Sequence, residues 1–349
     1  MMKTIKIGNK LIGANRPVFV IAEAGINHNG DFETAKKLIT AAKKCGADAI
    51  KFQAFKTKEL IIEKAPSAEH IKGSQSVFEM IKSWEFADAE YLKLADFARQ
   101  QGIVFFASVF CKQSLEMMNK IGVPLFKIAS CDLNNHYLLK EMSNTRKPVI
   151  VSTGMGDLKE IKQAVKILEL RGSDVGILHC VSLYPPRAEE LNLQRIKILR
   201  NVFPKNIIGY SDHTLDIFVP VSAIALGAGI IEKHFTLDKN MPGPDQPSSA
   251  DPVEFKRMVD EIRFLEKAFD YKEKKIVPGE RERQMRKAFR RSLVANADIL
   301  RGTKITKEML GVKRPGTGIP SSEMAKVLGK RVKRALVKNT ILKYADLTK

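Results

Sequence analysis

The sequence predicts a (β/α)8 barrel followed by a small module of short strands and turns. Eight apolar, β-branched runs recur over some 270 residues with helical spacing between them, the alternation expected of a barrel with a helical outer ring. No GxGxxG follows the first run, which sets the doubly wound sheet behind the barrel. Beyond about residue 290 the apolar pieces become short and are broken by turn residues.

The elements follow in order. Met1 to Asn15 alternates apolar with polar residues and lacks the apolar block of a signal peptide. The first strand is predicted near Val18–Ala24, after which Asp31 can cap a helix over Phe32–Cys45. The second strand is Ala49–Ala54. The stretch from Lys56 to Ser83 is long for a strand-to-helix connection and reads as an excursion over the C-terminal face of the barrel, where active sites lie. Strands at Val104–Val109, Phe126–Ala129 and Val149–Ser152 come next, and Asp157 can cap a helix over Leu158–Leu170. Gly176–Cys180, Ile207–Ser211 and Ile230–Phe235 complete the eight. The proline-rich segment Met241 to Ala250 reads as a loop on the same face, and Asp251-Pro252 opens a last helix over Val253–Phe269. The expected organisation is a barrel over 1–270, a charged linker over 271–289 and a module over 290–349. Ser292–Ala295, Ile299–Gly302, Val312–Gly318 and Arg334–Thr340 are the apolar pieces and turns of that module.

Composition narrows the function classes. The 349 residues include 44% hydrophobic ones, which excludes whole-chain disorder, and no run of about 18 uncharged apolar residues is present to span a bilayer; a cytoplasmic location is expected. The net charge is +20, of which residues 281–349 carry 19 Lys+Arg against 5 Asp+Glu. Such a module could attract an anion, a membrane surface or nucleic acid. No zinc-finger spacing, aromatic-rich strand pair or low-complexity tail accompanies the charge, so neither nucleic acid nor membrane is expected as a partner. Cys45, Cys111, Cys131 and Cys180 show no CxxC spacing and read as reduced, mostly buried thiols. Three of them follow predicted strands, which makes each a candidate to border a pocket.

In a barrel the strand C-termini face the substrate. Here they carry Glu23, Lys51 with Gln53, Ser108, Lys127 with Ser130, Ser152, Ser182 with Tyr184, Ser211 with His213, and Glu232 with His234. Lys51, Lys127 and Glu232 sit within apolar strands, where an unpaired charge is costly. Either they form an ion pair inside the barrel, or the two ammonium groups face a bound anion; the second reading is preferred. His213 and His234 each lie two residues beyond a polar residue on neighbouring strands, so each shares a face with its partner. Two such imidazoles suit a divalent metal whose other positions go to water and substrate; two hydrogen-bonded histidines in the barrel mouth are the alternative.

These residues fall within recognisable motifs. Ile21-Ala-Glu-Ala-Gly-Ile-Asn-His-Asn-Gly30, Lys51-Phe-Gln53, Phe126-Lys-Ile-Ala-Ser130, Val151-Ser-Thr-Gly-Met155, Leu178-His-Cys180, Gly209-Tyr-Ser-Asp-His-Thr214, Ile231-Glu-Lys-His-Phe235 and Gly243-Pro-Asp245 occur in order, and Lys313-Arg-Pro-Gly-Thr-Gly-Ile319 follows. Together the sequence resembles the sialic acid synthase family, close also to its legionaminate and nonulosonate synthases, with a C-terminal antifreeze-like (SAF) domain. The resemblance implies condensation of phosphoenolpyruvate with an N-acetylated mannose-type sugar such as N-acetylmannosamine, water adding and phosphate leaving by C–O cleavage. It implies that Lys51, Gln53, Ser108, Lys127, Ser130, Ser152, Ser182 and Ser211 bind phosphoenolpyruvate. Tyr184, Asp245 and Arg314 would meet the sugar, and His213 and His234 would hold Mn2+, or else Mg2+ or Co2+. Glu23 is the first candidate for the proton-handling group and Glu232 the second. A domain-swapped homodimer is implied, with Arg314 reaching the partner's site. Ser108-Val109-Phe110 departs from the family's Ser/Thr-Pro-Phe, and Ser108 and Ser182 stand where relatives carry Thr and Asn.

Three alternatives stay open at this point. One is legionaminate-type synthesis from a 2,4-diacetamido-trideoxymannose. Another is a Schiff-base aldolase using Lys51 or Lys127. The third is a basic nucleic-acid-binding protein.

Overall fold

The computed structural model describes residues 3–65, 76–269 and 275–348 and divides into two compact units, Met1–Asp270 and Tyr271–Lys349. The first opens with a small antiparallel hairpin, β1 (Ile5–Ile7) and β2 (Lys10–Ile12), whose Ile5, Ile7 and Ile12 join the core. Eight parallel strands follow: β3 (Phe19–Gly25), β4 (Ala49–Ala54), β5 (Val104–Val109), β6 (Phe126–Ile128), β7 (Val149–Ser152), β8 (Val175–Cys180), β9 (Ile207–Asp212) and β10 (Ile230–His234). Each pairs with the next, and β10 returns to β3, closing the barrel. All eight predicted strands are present, with ends displaced by one residue at most.

Several helices start where the sequence supplies a side-chain acceptor for orphan backbone N–H groups. Asp31 accepts from the Thr34 N–H at 2.6 Å to open Phe32–Lys44. Asp157 and Glu160 form a reciprocal capping box on Leu158–Glu169. Asp251 caps Pro252–Ala268 through the N–H groups of Val253 and Glu254, with proline at the first helical position.

The excursion after β4 carries a one-turn helix, Thr57–Leu60, and a longer one, Val77–Trp84. The Glu85 carboxylate accepts from both the backbone N–H and the hydroxyl of the buried Thr57, which ties its ends together. Residues 66–75 of this excursion lie outside the described residues. The Met241 to Ala250 loop contains a single 3-10 turn, Gln246–Ser248, anchored by the Gln246 amide to the Asn27 carbonyl.

The C-terminal unit has its own core of Leu293, Ala295, Ile299, Ile305, Ile319, Val332, Leu336 and Leu342. Its β11 (Ser292–Ala295) and β12 (Leu310–Lys313) pair antiparallel, and isolated bridges such as Ile299 to Leu336 complete a module of short pieces. A helix, Glu280–Phe289, forms within the segment read from sequence as a charged linker. None of its residues is buried, and its apolar side is limited to Met285, Ala288 and Phe289 near its end, a short stripe among charged residues. Among the described residues, no helix is long and apolar enough to cross a membrane.

Candidate active site

Alternation along the strands turns Glu23, Lys51, Ser108, Lys127, Ser152, Ser211, Glu232 and His234 to one end of the barrel interior, all of them buried. Register brings them side by side, with Glu23 opposite both His234 and Lys51, Ser108 opposite Lys127, and Glu232 opposite Ser211. The Lys51 ammonium lies 2.5 Å from Glu23 Oε2 and 3.7 Å from Glu232 Oε2, and donates to the Ser108 hydroxyl at 2.8 Å. The Lys127 ammonium donates to the Ser152 hydroxyl at 2.7 Å and stands 3.8 Å from Glu232 Oε1, which also accepts from the Ser211 hydroxyl at 2.9 Å. The structure therefore shows the buried ion pairing that the sequence left as the alternative for these charges. The pairs sit at strand C-termini, where a barrel presents groups to a ligand.

The two carboxyl groups respond differently to this setting. Burial pushes Glu23 up to about 7 despite the pull of Lys51. Burial also opposes charge on Glu232, but Lys127, Lys51 and the Ser211 hydroxyl outweigh it and hold that carboxyl below its ordinary value. Lys51 is raised, its two carboxylate neighbours overcoming burial, whereas burial lowers Lys127. Neighbouring carboxyls pushed apart in this way commonly divide acid–base work from charge stabilisation.

Close approaches at two glycines locate the remaining candidates. Gly25 adopts φ +53, and a Cβ there would stand 3.2 Å from Glu23 Oε1, 3.4 Å from Gln53 Nε2 and 3.5 Å from Asp245 Oδ2. A Cβ on Gly154 would collide with the Ser182 hydroxyl and lie 2.8 Å from that of Ser130, which itself accepts from the Gly154 N–H at 3.0 Å. Gln53 and Asp245 thus converge on Glu23, and Ser130 and Ser182 converge on the loop after β7.

His213 and His234 come together with ring centroids 5.4 Å apart, and Tyr184 stacks on His213 at 4.0 Å. His213 Nδ1 lies 2.7 Å from the Val181 carbonyl. A carbonyl can only accept, so in the neutral ring Nδ1 carries the proton and Nε2 keeps its lone pair. His234 Nδ1 is buried with no hydrogen-bond partner, Asp245 Oδ2 standing 3.7 Å away. Burial lowers the pKa of both rings and keeps them neutral, the state a metal requires. The pair therefore fits a divalent cation that takes its other ligands from water and substrate. Among the described residues no set of three His, Cys, Asp or Glu side chains gathers for a closed site.

Cys180 was singled out in sequence only as a candidate to border a pocket. It lies opposite Ser211, and burial raises its thiol pKa against an opposing pull from the Ser130 and Ser211 hydroxyls. Cys45 and Cys111 are buried away from this cluster and Cys131 is exposed, all free. Arg314 lies in the C-terminal unit, where its guanidinium sits 5.1 Å from the Phe289 ring centroid.

Comparison with known proteins identifies this arrangement. The model of the NeuB family matches residues 38–274, and that of the SAF domain matches residues 290–348. The chain is 40% identical to the N,N'-diacetyllegionaminic acid synthase of Legionella pneumophila, over 97% of both chains. It is 35% identical to human N-acetylneuraminate-9-phosphate synthase, over 92% of this chain and 90% of the human one. The crystal structure of an N-acetylneuraminic acid synthetase from Leptospira borgpetersenii, solved with citrate, superposes with a TM-score of 0.74 at 38% identity, covering 82% of this chain and 95% of the other. With its closed eight-stranded barrel and its SAF domain, the chain belongs to the NeuB family of synthases.

Proposed function

We propose that the protein is a nonulosonic acid synthase that joins phosphoenolpyruvate to the open-chain aldehyde of an N-acetylated mannose-type sugar, N-acetylmannosamine in the first instance. The observation that carries this reading is the buried set of two ammonium and two carboxyl groups, ringed by the Ser108, Ser152 and Ser211 hydroxyls beside the paired imidazoles. Lys51 and Lys127 bind the phosphate and carboxylate of phosphoenolpyruvate, with Gln53, Ser130, Ser182 and these hydroxyls as further donors. Glu232 stays ionised and balances the lysines. Once the enol carbon has bonded to the aldehyde, Glu23, with its pKa near neutrality, takes a proton from the water that adds at C2. That proton goes to the former aldehyde oxygen, which becomes a hydroxyl. The bond from C2 to the phosphate oxygen then breaks, so that phosphate departs with the second water proton and leaves the C2 ketone. His213 and His234 would hold a divalent cation, Mn2+ by the family resemblance, which when bound polarises the aldehyde oxygen. Asp245 and Tyr184 orient the sugar. Arg314 is assigned to its N-acetyl group within a homodimer whose C-terminal units are exchanged.

The 40% identity to a legionaminic acid synthase supports a second acceptor, a 2,4-diacetamido-trideoxymannose. A Schiff-base role for Lys51 is disfavoured, because two carboxylates raise its pKa and hold it protonated. The test is phosphate release from phosphoenolpyruvate with Mn2+ and each sugar in parallel. Turnover that a chelator abolishes is expected, and the faster sugar names the acceptor. Silence with both sugars at saturating Mn2+, or a borohydride-trapped lysine adduct with pyruvate, overturns the reading.

A further inference from the structure

Strands β9 and β10 carry polar residues on both faces. Ser211, Glu232 and His234 turn into the barrel. Asp212 and Lys233, between them, turn outward and pair at 2.7 Å, each only 1% exposed. A buried ion pair of this kind is weak evidence for stability, since apolar residues of the same volume often serve as well or better. Its partners say what else it does. Asp212 accepts from four donors: the Tyr210 hydroxyl at 2.9 Å, the Lys233 ammonium, and the N–H and hydroxyl of Thr214 at 3.3 and 2.8 Å. Lys233 also donates to the Thr214 carbonyl at 2.7 Å. The residues immediately before and after His213 are therefore bound to one another and to the residue immediately before His234.

The geometry points to Asp212, Lys233, Thr214 and Tyr210 as a positioning unit that sets the spacing of the His213 and His234 backbones and, through it, the affinity of the imidazole pair for a divalent cation. The ring orientation of His213 is fixed separately, by the Val181 carbonyl and the Tyr184 stack; the outer network fixes where that ring is anchored. Supports one layer behind a metal's ligands commonly change its affinity ten- to a hundredfold. The inference rests on the reading of His213 and His234 as metal ligands, and its test separates the two.

Mn2+ alone is titrated into the full chain by calorimetry, with melting of the metal-free protein measured alongside. The wild type is expected to bind one Mn2+ per chain and His213→Ala to lose that binding. Lys233→Met weakens binding ten- to a hundredfold, and Thr214→Val and Tyr210→Phe weaken it several-fold. Thr214→Ser keeps the hydroxyl and restores the wild-type affinity. Tyr210→Phe removes one hydrogen bond and Thr214→Val the hydroxyl shared between Asp212 and the Asp216 carbonyl, so they carry the test even if Lys233→Met fails to fold. Undiminished Mn2+ affinity in Thr214→Val, Tyr210→Phe and any folded Lys233→Met, with only the melting temperature lowered, assigns the network to the fold and overturns the inference. Identical titrations of wild type and His213→Ala overturn the metal reading itself.

Discussion

Acidification from pH 7.5 to 5 is predicted to destabilise the barrel unit through His28. This residue follows β3, is 1% exposed, accepts the Gly30 N–H at Nδ1 (3.0 Å) and stacks on Phe86 at 4.1 Å. Burial drives its pKa down to about 3, against a small opposing pull from Asp31. In the unfolded chain the ring takes its proton near the ordinary value of about 6.5. The folded pKa is the lower one, so between these values the unfolded state binds the extra proton and stability is lost as the pH is lowered. At pH 5 the ring would be almost fully protonated when unfolded and neutral when folded. The loss from pH 7.5 is about 2 kcal/mol, with a slope of about 1.2 kcal/mol per pH unit near pH 5.5. His28→Asn places an amide oxygen where Nδ1 accepts and removes the titration. The variant gives up the Phe86 stack, about 1 kcal/mol, so it is the less stable protein at pH 7.5. Its deficit should shrink and reverse toward pH 5, while every other titrating group contributes equally to both proteins. Urea midpoints followed by the fluorescence of Trp84, the single tryptophan, measure the difference at each pH. Stability curves that run parallel from pH 7.5 to 5 would refute the argument.

Three further outcomes are expected. Gly154→Ala drives a methyl group into the Ser182 and Ser130 hydroxyls. It should raise the KM for phosphoenolpyruvate at least tenfold with the far-UV circular dichroism unchanged; an unaltered KM would remove those serines from the substrate. Lys51→Met leaves Glu23 without its 2.5 Å partner and should cost about 3–5 kcal/mol in unfolding free energy. Phosphate release should fall by about a thousandfold in the same variant, and retention of activity would exclude Lys51 from the anion site. Asp251→Ala removes the cap of Pro252–Ala268 and should destabilise by about 1 kcal/mol without altering the kinetics, which urea unfolding and initial rates measure together.

The parts of this fold that could be read from the chain are those encoded over a few neighbouring residues. The barrel strands are apolar runs, and Asp31, Asp157 and Asp251 announce the helices they cap because a cap acts three residues away. What escaped reading depends on closure or on a missing pattern. An ion pair of Lys51, Lys127 and Glu232 was one of the two readings open, but that Glu23 joins Glu232 as a partner of Lys51 requires the register of the closed barrel. The place of Cys180 beside Ser130 and Ser211 depends on the same register. Lys233 and Asp212 lay inside recognised motifs, and the strand's period of two turns them outward, but nothing local says that they meet. The helix Glu280–Phe289 buries no side chain, so its local hints were charges such as the Glu280–Arg283 pair and an acidic first turn before a basic last turn, and these are weak.

The two polar faces of β9 and β10 also bear on how the barrel chooses its own alignment. Strands ordinarily find their register because a slip of one residue carries the apolar side out of the core. In β10 that guide ends at Ile231, and Glu232, Lys233 and His234 would satisfy either face on polarity alone. Sign does the sorting instead. Displaced by one position, either Lys233 would take the place of Glu232 beside Lys51 and Lys127, or Glu232 would turn outward against Asp212, according to the direction of the slip, setting like charges together in one layer. In the observed register each layer pairs opposite charges. The charge pattern at the end of β10 thus works as a key that admits one alignment of the final strand and rejects its neighbour.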